Sequence, residues 1–223
     1  MDKTIKITGT AKMSVKPDLI RLEITLSKVE KKYEDAVRES AEKYELLAKG
    51  LASVGFAKED LKTLHFQVNT EYESVQDTTG IWKQQMVGYR YHHRMKLEFA
   101  ADNELLGKVL GVIAACPGEP EFTITYTVKD PDSVKNELLT KAVIDSRVKA
   151  EVLAAAAGLK LKEIVNIDYS WGEMAVASQP VNGMMLRKCE TAAVYNDIAG
   201  VNLNADDIII NDTVTVVWSF YKQ

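Results

Sequence analysis

The chain has 223 residues, with 28 Lys and Arg against 32 Asp and Glu for a net charge of −4. It is long enough to bury a core without staples, and it has no basic excess to favour nucleic acid or an anionic membrane as partner. Two cysteines, Cys116 and Cys189, allow at most one bridge and belong to no CxxC pair, which excludes a disulfide scaffold.

Residues 4–14 place Ile5, Ile7, Gly9, Ala11 and Met13 on one side, Lys16-Pro17-Asp18 turns the chain, and residues 19–29 alternate again at Ile20, Leu22, Ile24 and Leu26. The period of two predicts two strands, and the short turn between them predicts a hairpin. Over residues 33–54, Tyr33, Val37, Ser40, Tyr44, Leu47, Leu51 and Val54 recur at spacings of three and four, which predicts a helix with a buried stripe. Tyr33 and Tyr44 are then core side chains with wet tips.

Alternation returns over residues 61–73 and 86–99, with the polar Gln76-Asp77-Thr78-Thr79-Gly80 between them, so this pair reads as a hairpin centred on about 72–88. Its tip carries Ile81 and Trp82, which the core pattern does not place. Trp82 either folds back on its own hairpin or meets another subunit, as exposed aromatics near a rim favour. Residues 103–115 read as a short helix ended by Cys116-Pro117-Gly118, with Cys116 as a small buried apolar side chain.

The strand EFTITYTV at 121–128 leads into Asp130-Pro131-Asp132-Ser133, which supplies the cap oxygens, first-turn proline and negative charge of a helix start. The helix has a charged i,i+4 ladder, Glu137, Lys141, Asp145 and Lys149, which reads as solvated. About 140° round the axis lies a second ladder, Ala142, Ser146, Ala150 and Ala154, flanked by Leu139, Val143 and Leu153. That small face predicts close packing on a sheet. Gly158 suits the left-handed position after the helix, and IVNIDYSW at 164–171 reads as the next strand.

From 172 to 207 the periodicity fails, and irregular stretches of that length tend to be functional or mobile. This one holds Met184, Met185, Leu186, Cys189 and Tyr195, with residues 191–194 as an added strand. Residues 208–221, rich in Ile and Val, read as a strand deep in a sheet. Counted from Gly55 and Gly158, apolar residues recur at +1, +6, +9 and +11. A duplicated strand-helix-strand unit leaves such a pattern, and folds that converge on the same punctuation reach it too.

The elements define an α+β chain: a mostly antiparallel sheet backed by two long helices and one short helix, in a single domain over residues 1–223. No catalytic, cofactor or metal residue stands out. His92 and His93 are adjacent, so on a strand they face opposite ways, and with His65 they exhaust the histidines. GxSxG, P-loop and GxGxxG patterns are absent. Asp206, Asp207 and Asp212 lack the glycine and terminal glutamate of a calcium loop. An enzyme would need a polar cluster around His65 or His92.

The leading reading is a non-enzymatic, self-assembling interaction protein, a homo-oligomer, with Ile81, Trp82, Met184, Met185 and Leu186 as contact residues. The alternative is a small-molecule binding module in which 172–207 closes over an unnamed ligand and its methionines adapt to it. No apolar stretch of about 18 residues is present to span a bilayer as a helix, and the opening MDKTIKITGT lacks an apolar h-region. As supplied, the chain reads as soluble and cytoplasmic, or as periplasmic or extracellular if a signal was trimmed.

Four stretches carry a resemblance: IKITGTAKMSVKPD at the start, VGFAKEDLKT, VGYRY at 87–91, and DSRVKAEVLAAAAGLKLKEIVNI at 145–167. In this order they resemble the SIMPL-domain family, over nearly the whole chain. The resemblance implies an α+β fold, self-assembly and an association with oxidative or envelope stress. It brings no agreed catalytic residues, so none is transferred. Where relatives carry a Pro-Gly turn before the last strand, this chain has Asn204-Ala205-Asp206-Asp207.

Overall fold

The structure is a computed structural model that describes residues 4–76, 80–169, 175–179, 181–182 and 205–222. In chain order the elements are β1 (Thr4–Val15), β2 (Leu19–Glu30), α1 (Tyr33–Ala52), a single 3-10 turn (Lys58–Asp60), β3 (Lys62–Gln76), β4 (Trp82–Ala100), α2 (Asn103–Ala115), β5 (Glu121–Thr127), α3 (Pro131–Ala156), β6 (Leu159–Asp168), β7 (Val181–Asn182) and β8 (Ile208–Lys222). The fold is α+β with antiparallel ladders backed by helices, as the patterns predict. The common sheet expected under both long helices is instead two sheets, ordered β1-β8-β6 and β3-β4-β2-β5-β7. The chain divides accordingly into two compact units, one of residues 1–18, 127–178 and 206–223, the other of 19–126 and 179–205.

In the first unit β8 is the central strand, paired from Thr4↔Ser219 to Val15↔Ile208 with β1 and on its other side with β6. Ile7, Val214, Val216 and Trp218 meet Ala142 and Ala150 of α3 in one buried cluster. The expected small face of α3 is the buried one: Ala142, Ser146, Ala150 and Ala154, extended by Leu138. Asp130 caps the helix by accepting from the Ser133 N–H at 3.0 Å, with Pro131 in its first turn. Gly158 takes φ +67 just beyond its end. Leu153, expected to flank the buried face, is exposed, although Ala154 beside it in the last turn is buried.

The predicted β1–β2 hairpin does not form. β1 pairs with β8, and β2 pairs with β4 from Leu19↔Ala100 to Glu30↔Tyr89. The segment between them is held by the chain that follows β5: the Asp18 N–H donates to the Thr127 carbonyl at 3.1 Å, and the Asp18 carboxylate accepts from the Lys129 N–H at 2.7 Å. Lys16-Pro17-Asp18 also lacks the Asn-Gly type of pair that closes a two-residue hairpin turn.

In the second unit Ile20, Leu22, Ile24 and Leu26 of β2 and Met95, Leu97 and Phe99 of β4 face α1 and α2 in a large cluster with Leu47, Leu51, Leu106, Val109 and Ile113. Asp102 caps α2, accepting from the N–H groups of Glu104 at 2.8 Å and Leu105 at 3.1 Å. Cys116 is buried, as read from sequence. The stripe of α1 is shifted at its start: Ala36 and Ser40 are buried, while Tyr33 and Val37 are exposed. The strands on either side of α1 stay in one sheet, and those on either side of α3 go to two different sheets.

Candidate functional site

The β3–β4 hairpin forms as predicted but runs further, from Lys62↔Lys96 to Gln76↔Trp82. Because β2 ends at Glu30↔Tyr89, the stretch of β4 from Trp82 to Gly88 has only β3 beside it among the described residues. What projects is a two-stranded ribbon, and isolated two-stranded hairpins are at best marginally stable in water.

The register fixes what each face of the ribbon carries. Phe66↔His93, Val68↔Tyr91 and Thr70↔Tyr89 point the way that His93 and Tyr91 do, toward α1. Between Glu71 and Tyr72 the register shifts, Glu71 lying opposite Gly88 and Tyr72 opposite Met86, so Val87 is the extra residue of a bulge, which twists and bends a strand. On β3 the alternation is unbroken, so Tyr72/Met86, Ser74/Gln84 and Gln76/Trp82 continue the face that α1 covers further down. There they are uncovered: Tyr72 is 54% and Trp82 67% exposed.

Tyr33 extends this stripe at its base. Its ring stands edge-on to Tyr89 with centroids 5.9 Å apart, which explains why it lies on the surface instead of in the core. Gln84 donates to Ser74 Oγ at 2.9 Å within the ribbon. On the opposite face Arg90 donates to Glu71 at 2.7 Å and braces the bulge. The Arg90 guanidinium holds the Glu71 carboxyl below its ordinary range.

Of the contact residues read from sequence, Ile81 and Trp82 lie at the outer end of the ribbon, both exposed. Met184, Met185 and Leu186 lie outside the described residues, as do Cys189, residues 191–194 and most of the proposed lid. Sequence reasoning missed Tyr33, Tyr72 and Met86. The signal was there for Tyr72 and Met86, whose like parity across a hairpin follows once the register is known.

Among the described residues, the polar cluster built around a histidine uses neither His65 nor His92. On β4, His93 Nδ1 lies 3.2 Å from Ser40 Oγ of α1, and Nε2 lies 2.9 Å from Thr63 Oγ1 of β3. Tyr44 stacks on the ring at 5.5 Å and Phe66 meets it edge-on at 5.3 Å. Ser40 is 1% exposed and both ring nitrogens are taken by hydroxyls, so the group joins α1 to two strands. Among the described residues no cluster of His, Cys, Asp or Glu could hold a metal. Asp212 accepts from Tyr169 at 2.8 Å and Asp207 from Ser14 at 2.7 Å.

Burial holds the His93 imidazole below its ordinary value. The unfolded chain then takes up the proton first, near pH 6.5, so stability is intact above that pH and falls as the pH drops toward the folded value. The slope is at most about 1.4 kcal/mol per pH unit for one proton. Denaturant melts between pH 7.5 and 5 are expected to show this decline, and His93→Gln, which titrates no proton, to flatten it. An unchanged slope in the variant would assign the decline to other groups.

The profile of the SIMPL family, described as "Protein of unknown function (DUF541)", matches residues 5–218. The chain is also similar to the 26 kDa periplasmic immunogenic proteins of Brucella melitensis and Brucella abortus. Each is 23% identical over 163 residues, covering 73% of this chain and 65% of the relative. The chain thus spans just under two thirds of the length of these curated relatives. Among the described residues no helix is long and apolar enough to cross a membrane.

Proposed function

We propose, from the premise that the chain belongs to the SIMPL family, that it is a non-enzymatic protein that associates with further copies of itself through the β3–β4 ribbon. The observation that carries this reading is the stripe of Tyr33, Tyr72, Met86 and Trp82, uncovered on a ribbon that projects past its own sheet. Covering such a stripe stabilises both the apolar groups and a hairpin that is marginal alone. Aromatic anchors of this kind dominate the energetics of interfaces.

The polar groups support the same reading, since the buried His93 ring is held between two hydroxyls and packed by Tyr44 and Phe66. The Brucella relatives are named as periplasmic, which favours an exported setting for this chain over a cytoplasmic one.

Sedimentation velocity over a wide concentration range tests the proposal. The wild type is expected to sediment as an oligomer. Trp82→Ser combined with Met86→Ser is expected to weaken association by about 1000-fold, as loss of two anchors worth about 2 kcal/mol each implies. At concentrations where both proteins are dissociated, thermal stability should stay within about 0.5 kcal/mol, as for surface substitutions generally. A wild type that stays monomeric at every concentration would sink the reading.

A further inference from the structure

We propose that two copies of the chain meet along the outer edge of β3, antiparallel, with Asn69 on the two-fold axis, so that the two five-stranded sheets join into one. This rests on the self-association reading and names the surface that reading needs.

Among the described residues β3 is terminal in the sheet order and pairs only with β4. Along Lys62–Gln76, alternate residues therefore turn their N–H and C=O groups away from any strand. The edge of the other sheet shows how this chain protects a strand it keeps to itself. The Thr10 N–H of β1 donates to Asp145 at 2.7 Å, and Lys149 donates to the Thr8 carbonyl at 3.3 Å. Among the described residues no side chain makes such a bond to the backbone of β3. Twelve of its fifteen residues are exposed, and it carries no proline.

The sequence of β3 is complementary to itself in one register. Joining sheets about a two-fold axis keeps each face with its like, so only registers that pair residues of equal parity are allowed. With Asn69 opposite its own copy, Phe66 meets Tyr72, Val68 meets Thr70, Gln67 meets Glu71 and His65 meets Glu73, each pair occurring twice. This register sets the two exposed aromatics of the strand against each other and brings no like charges opposite. Shifting by two residues either way parts Phe66 from Tyr72 and His65 from Glu73.

Surface area points the same way. An aromatic side chain buries about 150–250 Å² when covered, so the partly exposed ribbon stripe offers on the order of 400 Å² per copy, about half of what one partner gives to a standard interface. The ribbon alone is too small. The β3 edge adjoins it and supplies the rest, and the Phe66–Tyr72 pair links the two surfaces.

Two exposed-site experiments on the full chain test this. In a Cys189→Ser background, Asn69→Cys is expected to form a covalent dimer under mild oxidation. Residues opposite each other in an antiparallel pair have Cα atoms about 4.5–5.5 Å apart, within disulfide range. Lys62→Cys, at the end of the strand, should not cross-link.

Separately, His65→Glu sets glutamates opposite each other twice and is expected to weaken association roughly tenfold, and adding Glu73→Lys should restore it. An oligomeric wild type whose Asn69→Cys form does not cross-link, or whose association ignores His65→Glu, would overturn the β3 pairing and leave self-association through the ribbon standing. A wild type that is monomeric throughout would overturn both.

Discussion

Gly9→Ala is expected to destabilise the three-stranded unit by about 3 kcal/mol or more, at the upper end of the overpacking range. A Cβ at this position would stand 2.0 Å from the Ala142 carbonyl oxygen and 2.8 Å from both the backbone nitrogen and Cβ of Ser146. Two of these three atoms belong to the backbone of α3, so no rotamer change relieves the overlap and the helix must lift off β1. Lifting it stretches the Thr10 N–H to Asp145 bond of 2.7 Å and the Lys149 to Thr8 carbonyl bond of 3.3 Å. It also opens the cluster of Ile7, Ala142, Ala150 and Val216.

Gly55→Ala separates close approach from backbone freedom. Gly55 has φ +103 with nothing within 4 Å of an added Cβ, so that change costs about 1 kcal/mol through strain alone. Urea melts of the two variants should therefore differ by about 2 kcal/mol. A Gly9→Ala protein within 1 kcal/mol of wild type would mean that α3 does not lie against β1 as described.

The small ladder of α3 was legible because Ala142, Ser146, Ala150 and Ala154 repeat at one helical spacing, and only a close neighbour needs side chains that small. The parity of β2 and of the far half of β4 was legible for the same reason: one buried face imposes one period. The partners of β1 were not. A strand pattern states which face is apolar and says nothing about which of several apolar strands will lie beside it, and β8 is nearly 200 residues away from β1 in the chain. Separation into two sheets follows from that same pairing choice.

The ribbon was legible at its tip, where Ile81 and Trp82 follow the turn signal, and illegible along its length. The bulge at Val87 changes which residues share a face, and its local sign in VGYRY is Gly88, which inside a strand marks a bulge without saying which residue is the extra one. The charged ladder of α3 was read as its solvated face, yet Ile144, Val148 and Val152 are also exposed. Ladders at i,i+4 drift slowly round the axis, so a helix of 26 residues presents more outward surface than one charged row can cover.

Gly88→Ala should reduce stability and self-association together, which separates it from the ribbon variants that touch association alone. A Cβ on Gly88 would lie 2.3 Å from the Glu30 carbonyl oxygen and 3.0 Å from Val29 Cγ1, at the point where β2 ends and the ribbon begins. The side-chain contact can yield, since Val29 can rotate or be trimmed. The carbonyl cannot, because Glu30 is the last residue of the β2–β4 ladder.

The strands must therefore part there, at a cost of about 2 kcal/mol within the overpacking range. Parting them turns the ribbon at its own root, because the register shift beside Tyr72 and the Arg90–Glu71 pair of 2.7 Å sit on the same step of the ladder. Association that depends on aiming Tyr72, Met86 and Trp82 at a partner should then weaken at least tenfold even at temperatures where the variant is fully folded.

Thermal melts and sedimentation on the same samples read the two effects, and adding Val29→Ala should rescue neither. If Gly88→Ala associates like wild type while melting lower, the aim of the ribbon does not matter to assembly. The contact would then have to come from a surface that this hinge does not move.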